Sequence, residues 1–155
     1  MDFKTLYLSA DGRIGQKDFW LGWLILLVAG IVLGMIPVIG MIVSILLIWP
    51  NIAVYAKRLH DFGKSAWLVL IPFVVNVIGL FLMGGAIFAA VGGAAMTGTD
   101  EAAATAAMAG AGSAGLIGLV LFVVNIGFLL WVGLSKGDPG ENRFGPPRTT
   151  PLIGS

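Results

Sequence analysis

From Phe19 to Ala56 the chain carries no charged residue. At about 1.5 Å per residue this run is nearly twice what a ~30 Å hydrocarbon core requires, so it must fold as two helices. The break falls at Pro37-Val38-Ile39-Gly40, where proline removes a backbone donor and glycine accepts the left-handed dihedrals of a tight turn. Two antiparallel helices follow, over about 19–36 and 40–56. The polar stretch Lys57–Ser65 ends this hairpin, and a third apolar run extends from Ala66 to about Phe88, with Ser65 as a plausible N-cap. Residues 89–113 are rich in Ala, Gly and Thr, with Asp100 and Glu101 as their only charges, and are expected to form a loose small-residue loop or a weak helix. The fourth apolar run, Ala114–Leu134, precedes a tail dense in Gly and Pro that has no core of its own.

Composition fixes the solvent. The 155 residues are 58% hydrophobic and 11% charged, with a mean hydropathy of +0.98. A water-soluble fold of this size would lack the polar surface to cover itself. A bilayer admits only helices or closed barrels, and the continuous apolar runs exclude barrels. The predicted fold class is therefore an all-α membrane protein: four transmembrane helices in two antiparallel pairs, within one domain over residues 1–148, followed by a disordered end at 149–155. The first 18 residues carry Asp2, Lys4, Asp11, Arg13, Lys17 and Asp18, too mixed in charge for a signal-peptide n-region, so the first apolar run is expected to be retained.

Charge then sets the orientation. Lys4, Arg13 and Lys17 precede helix 1; Lys57, Arg58 and Lys64 separate helices 2 and 3; Lys136, Arg143 and Arg148 follow helix 4. With four spans all nine fall on one side, and basic residues are retained in the cytoplasm, so both termini are expected there. Trp20, Trp23, Tyr55, Trp67 and Trp131 fall near the same boundary, where amphipathic rings prefer to sit. A bacterial inner-membrane, multi-pass address follows. The net charge of +1 argues against nucleic acid, and the absence of cysteine excludes disulfides, iron–sulfur clusters and thiolate zinc sites within the chain.

Within the apolar runs, Asn76 and Asn125 lie roughly 14–15 Å from the cytoplasmic ends, counting 1.5 Å per residue. They are expected to hydrogen-bond between helices 3 and 4; the alternative is that they line a polar path. Pro50 and Pro72 each free a carbonyl and can kink their helices. Gly30 with Gly34, and Gly110 with Ala114 and Gly118, are small residues spaced by four that allow close helix approach.

The segment Lys57-Arg58-Leu59-His60-Asp61-Phe62-Gly63-Lys64-Ser65 holds the only histidine. Gly63-Lys64-Ser65 echoes a phosphate-binding loop, but Arg58 stands where its first glycine belongs and no strand precedes it. One His beside Asp61 lacks the ligands of a metal site. His60, Asp61 and Ser65 lie too close in sequence to arrange nucleophile, base and orienter. Neither a cofactor nor a metal is expected. The bland alternative is an ordered helix–turn–helix connection with Gly63 as C-cap and basic residues facing headgroups.

Three motifs carry a resemblance. Gly12-Arg13-Ile14-Gly15-Gln16-Lys17-Asp18-Phe19-Trp20, then Arg58-Leu59-His60-Asp61 with Gly63, Ser65 and Trp67, then Gly137, Gly140, Asn142 and Gly145-Pro146 resemble the signatures of the DUF805 family of small bacterial inner-membrane proteins. The resemblance implies a helical fold and a cytoplasmic-membrane address but no activity. All three motifs map to one membrane face, so Arg13, Asp18, Arg58, His60, Asp61 and Asn142 are predicted to form a polar cluster, with the tail folded against the loop. The leading expectation is a non-enzymatic scaffold, sensor or accessory protein that binds a membrane protein partner or anionic headgroups through this face. The alternatives are a small oligomeric channel or transporter lined by Asn51, Asn76 and Asn125, and a surface enzyme using His60 and Asp61. Pumps usually carry deep intramembrane charges, and none lies deep here.

Overall fold

A computed structural model of the chain describes residues 3–97 and 99–146, so the expected disordered end at 149–155 and Arg148 lie outside the described residues. The described residues are helical apart from loops and one isolated bridge, Asn142 with Gly145. The helices are α1 (Phe3–Leu8), α2 (Gln16–Gly34), α3 (Ile39–Leu46), α4 (Ile48–Asp61), α5 (Leu70–Thr97) and α6 (Asp100–Leu134), with a 3-10 turn at Ala66–Val69 before α5. Four segments are long and apolar enough to cross a membrane: Gln16–Gly34, Ile39–Asp61, Ala66–Met96 and Asp100–Leu134. The chain divides into two compact units, the first made of residues up to Val69 and from Leu130 onward, the second of Leu70–Leu129.

In the first unit α1 packs on α4, and α2 packs on α3 and α4. Its buried apolar residues, among them Leu6, Ile14, Phe19, Val54, Leu59 and Val132, cluster at the helix ends that carry the polar residues, while Val38, Ile42 and Ile45 at the other end are exposed. Lipid is as apolar as a leucine side chain, so the membrane-facing flanks need no protein cover. α1 was not expected from the sequence. It forms because Leu6 can be buried against Gly22, where an added Cβ would stand 3.3 Å from the leucine.

The break between α2 and α3 falls where proline predicts it, but by a different device. The left-handed residue is Val38 (φ 65°, ψ −54°), not Gly40, and the amide of Ile39 donates to the Pro37 carbonyl at 2.7 Å, a γ-turn around Val38. Gly40 serves close approach instead: a Cβ there would lie 2.7 Å from the Gly34 carbonyl oxygen. Pro50 cannot donate to the carbonyl of residue 46, and the helix is interrupted there at Leu47, splitting the expected helix 40–56 into α3 and α4. Pro72 sits in the first turn of α5, just after the 3-10 turn, where its missing donor costs little.

The second unit is a helical hairpin. Of the two expectations for residues 89–113 the helix holds on either side of residue 98: α5 continues to Thr97 and α6 starts at Asp100, because alanine has the highest helix propensity and Thr99 caps α6, accepting the Ala102 amide at 3.3 Å. The two helices run antiparallel, with Gly79 against Leu121 and Gly110 against Ala90; a Cβ on either glycine would come within 2.5 Å of its neighbour. Asn76 and Asn125 form a reciprocal amide pair, with Nδ2 to Oδ1 distances of 3.0 and 3.2 Å, and each also donates to the carbonyl four residues earlier. Replacing either asparagine with leucine is expected to weaken the hairpin by about 0.6–2 kcal/mol. The double replacement should cost less than the two singles together, as a double-mutant cycle of unfolding in micelles would measure, because it strands no amide.

Candidate functional site

The polar cluster is built at the end of α4. Arg58 and Asp61 stand three residues apart, on the same face of that helix. α4 then stops in a Schellman arrangement: Gly63 adopts φ +72°, Lys64 N–H donates to the Leu59 carbonyl at 2.8 Å and Gly63 N–H to the His60 carbonyl at 3.1 Å. Gly12, at φ +87°, turns the chain after α1 so that Arg13 enters from the other side.

Arg13 is 2% exposed and Arg58 0%. Asp61 bridges them. Its Oδ1 accepts from Arg13 Nε and Nη2, both at 3.3 Å, and its Oδ2 accepts from Arg58 Nη1. The remaining guanidinium donors go to backbone carbonyls: Arg13 to Asp61 at 3.0 Å, Asp138 at 2.6 Å, Gly140 at 2.8 Å and Gly145 at 3.0 Å, and Arg58 to Ile14, Val132 and Ser135. Buried ions are tolerable only when every lone pair and proton is engaged. Among the described residues no buried side-chain nitrogen or oxygen lacks a partner.

The tail wraps this core. Asp138 N–H donates to the Asp61 carbonyl at 2.8 Å, and Asn142 Nδ2 donates to the His60 carbonyl and to Asp138 Oδ2, both at 2.9 Å. Asn142 Oδ1 then accepts from the Phe144 amide at 2.9 Å, the side-chain bond of an Asx turn. Phe144 lies flat on the His60 ring, centroids 3.8 Å apart and planes 12° apart, while His60 Nδ1 is 3.2 Å from the Gly12 carbonyl oxygen. Thus Arg13, Arg58, His60, Asp61 and Asn142 lie in one bonded cluster. Asp18 is buried in the first turn of α2, where a carboxylate suits the positive end of the helix dipole.

Three features were missed from the sequence. Asp138 and Phe144 take part in the cluster, and Phe144 could have been suspected as the one aromatic residue of an otherwise coreless tail. Most partners of Arg13 are carbonyls, which leave no trace in residue identity. Lys57, which the alternative reading turned toward headgroups, is 1% exposed, and its Nζ donates to the Thr5 and Leu6 carbonyls at the end of α1. Trp49 Nε1 takes the Leu8 carbonyl at 3.1 Å, so α4 side chains satisfy groups that a helix C-terminus leaves open. Lys57→Met should therefore release α1 at a cost of about 1–3 kcal/mol, read as faster proteolysis near the N-terminus in micelles.

Because the buried guanidiniums are engaged internally, they hold shape and offer no free donor pair to an external anion. The described cations that face outward are Lys4, Lys17, Lys64, Lys136 and Arg143. Arg143 stacks over Phe144 at 4.6 Å and reaches the Gly63 carbonyl at 3.4 Å. Among the described residues no group of three or more His, Cys, Asp or Glu could hold a metal ion.

Four apolar spans and a folded polar cap define a small helical membrane protein. The chain belongs to the DUF805 family, described as a protein of unknown function, whose match covers residues 7–146. Two relatives come from Escherichia coli strain K12. The uncharacterized protein YiiR is 36% identical over 80 residues, covering 45% of this chain and 53% of that protein; the inner membrane protein YhaH is 32% identical over 83 residues, covering 44% and 69%. The chain thus spans about half the length of YiiR. No solved structure matches.

Proposed function

We propose that this is a non-enzymatic scaffold, sensor or accessory protein of a bacterial inner membrane, with both termini in the cytoplasm, working through the outer surface of its polar cap. The observation that carries this reading is the internal engagement of Arg13, Arg58 and Asp61. The groups most suited to acid–base work or anion capture are the frame of the cap, so what meets the cytoplasm is the surface they hold in place. That surface mixes Asp11, Lys64, Lys136, Glu141 and Arg143, a pattern that suits recognition of a polar protein surface. The one-sided distribution of basic residues supports the orientation, and the name of YhaH supports the address. The closed Asn76–Asn125 pair counts against a pore lined by these two side chains.

A photo-crosslinking residue at Glu141, introduced into the full chain in native membranes, should yield a discrete adduct with one protein, lost in Arg143→Glu or Lys64→Glu variants. Because Arg143 is exposed, Arg143→Ala should shift stability by no more than about 0.5 kcal/mol. Adducts with lipid alone, or adducts unchanged by both charge reversals, would refute the reading.

A further inference from the structure

Three asparagines lie in the spans, and they share one local geometry. Each turns an amide N–H back onto the carbonyl four residues earlier: Asn51 onto Leu47 at 2.8 Å, Asn76 onto Pro72 at 2.7 Å and Asn125 onto Leu121 at 2.7 Å. A carboxamide has two N–H donors and one carbonyl oxygen, so each retains an edge of one donor and one acceptor. Asn76 and Asn125 join these edges to each other. Among the described residues, nothing meets the same edge of Asn51.

Asn51 is half-buried and lines a cleft of about 320 Å³ between α2 and the α3–α4 break, together with Trp23, Leu26, Leu27, Gly30, Ile31 and Leu47. No fully buried side-chain nitrogen or oxygen lacks a partner among the described residues, so the unbonded Oδ1 of Asn51 is reachable from the surface. The charge-free run ends at Ala56, five residues beyond Asn51 (56 − 51), which puts Asn51 about 7.5 Å inside the apolar span. Inside the apolar span water is scarce, and an unmade amide bond is costly.

We propose that a second copy of this chain covers the cleft, with Asn51 pairing with Asn51 of the partner subunit in the way that Asn76 pairs with Asn125. An amide edge with one donor and one acceptor is complementary to itself. A two-fold interface places residues near its axis opposite their own copies, so one asparagine per chain suffices. The wall of the cleft suits a close approach: Gly30 presents no side chain, with Leu47 Cδ1 3.7 Å from where its Cβ would stand. A lipid tail would fill the volume but leave the amide edge unpaired.

The chain contains no cysteine, so single replacements report contacts without background. In proteoliposomes, full-length Leu27→Cys and Leu47→Cys should crosslink on oxidation, whereas Val74→Cys and Phe122→Cys, exposed on α5 and α6, should not. Energy transfer between labelled copies should show Asn51→Ala weakening association about 3- to 30-fold, the range expected for one interhelical amide pair. Gly30→Ile, which puts a bulky side chain into the cleft, should weaken it as well. A chain that stays monomeric at every protein-to-lipid ratio, with or without retained lipid, would overturn the proposal. So would crosslinking confined to Val74→Cys and Phe122→Cys, or an Asn51→Ala chain that associates as tightly as its parent.

Discussion

Asp61→Ala is expected to destabilise the first unit by about 3–5 kcal/mol, the largest effect of any single substitution in the cap. The carboxylate is the one side-chain anion bonded to both Arg13 and Arg58, and both guanidiniums are buried. Removing it leaves two buried positive charges side by side, without the carboxylate that bridges them and with backbone carbonyls among their partners. The tail, fastened through Arg13 and through Asp138 on the Asp61 carbonyl, should loosen with them. Thermal unfolding in micelles and proteolysis after residue 136 would both register the change. Asp61→Asn keeps the shape but loses the charge, and should fall between the parent and the alanine variant. If Asp61→Ala unfolds like the parent, the buried ion pairs do not hold the cap.

Gly137→Ala is the second. The Gly137 backbone lies directly against the Asp61 carboxyl group: a Cβ added there would stand 2.9 Å from its Cγ and 3.2 Å from Oδ1, and closer still to Oδ2. The carboxylate cannot retreat, because each of its oxygens is held by an arginine. Overpacking of this kind costs about 1–3 kcal/mol, and here it also pushes on the carboxylate that is ion-paired with both arginines. Gly140 is the control. A Cβ at Gly140 meets nothing within 4 Å, so Gly140→Ala should leave the midpoint of unfolding nearly unchanged. Equal effects at the two glycines would mean that close approach to Asp61 is not what residue 137 requires.

Much of the architecture was legible because its signals are local. Charge-free runs bounded by Lys and Arg mark the spans, and Arg58 and Asp61 announce their shared face by their spacing. The fold-back of the tail was inferred from three motifs placed on one membrane face; in the structure Asn142 reaches the His60 carbonyl and Arg13 reaches Asp61. What the sequence hid are interactions in which one partner is backbone. The carbonyls of Gly140 and Gly145 that receive Arg13 and the carbonyls of α1 that receive Lys57 carry no residue signature. Residues 89–113 left loop and weak helix both open for another reason. Their alanines are too weakly apolar to read as a span, yet they are the best helix formers, and propensity governs where no strong hydrophobic pattern competes.

The wrapping of the tail around Arg13 also orders events during biogenesis. Arg13 leaves the ribosome well before three of its acceptors, which lie 125, 127 and 132 positions later in the chain. Contacts of such sequence separation form late, because a long loop must close before they reward the chain. Until the last helix has entered the membrane and the tail has been released, this guanidinium stays wet and the cap stays open. Closure of the cap therefore follows synthesis of all four spans, since these acceptors of Arg13 come after α6 in the chain.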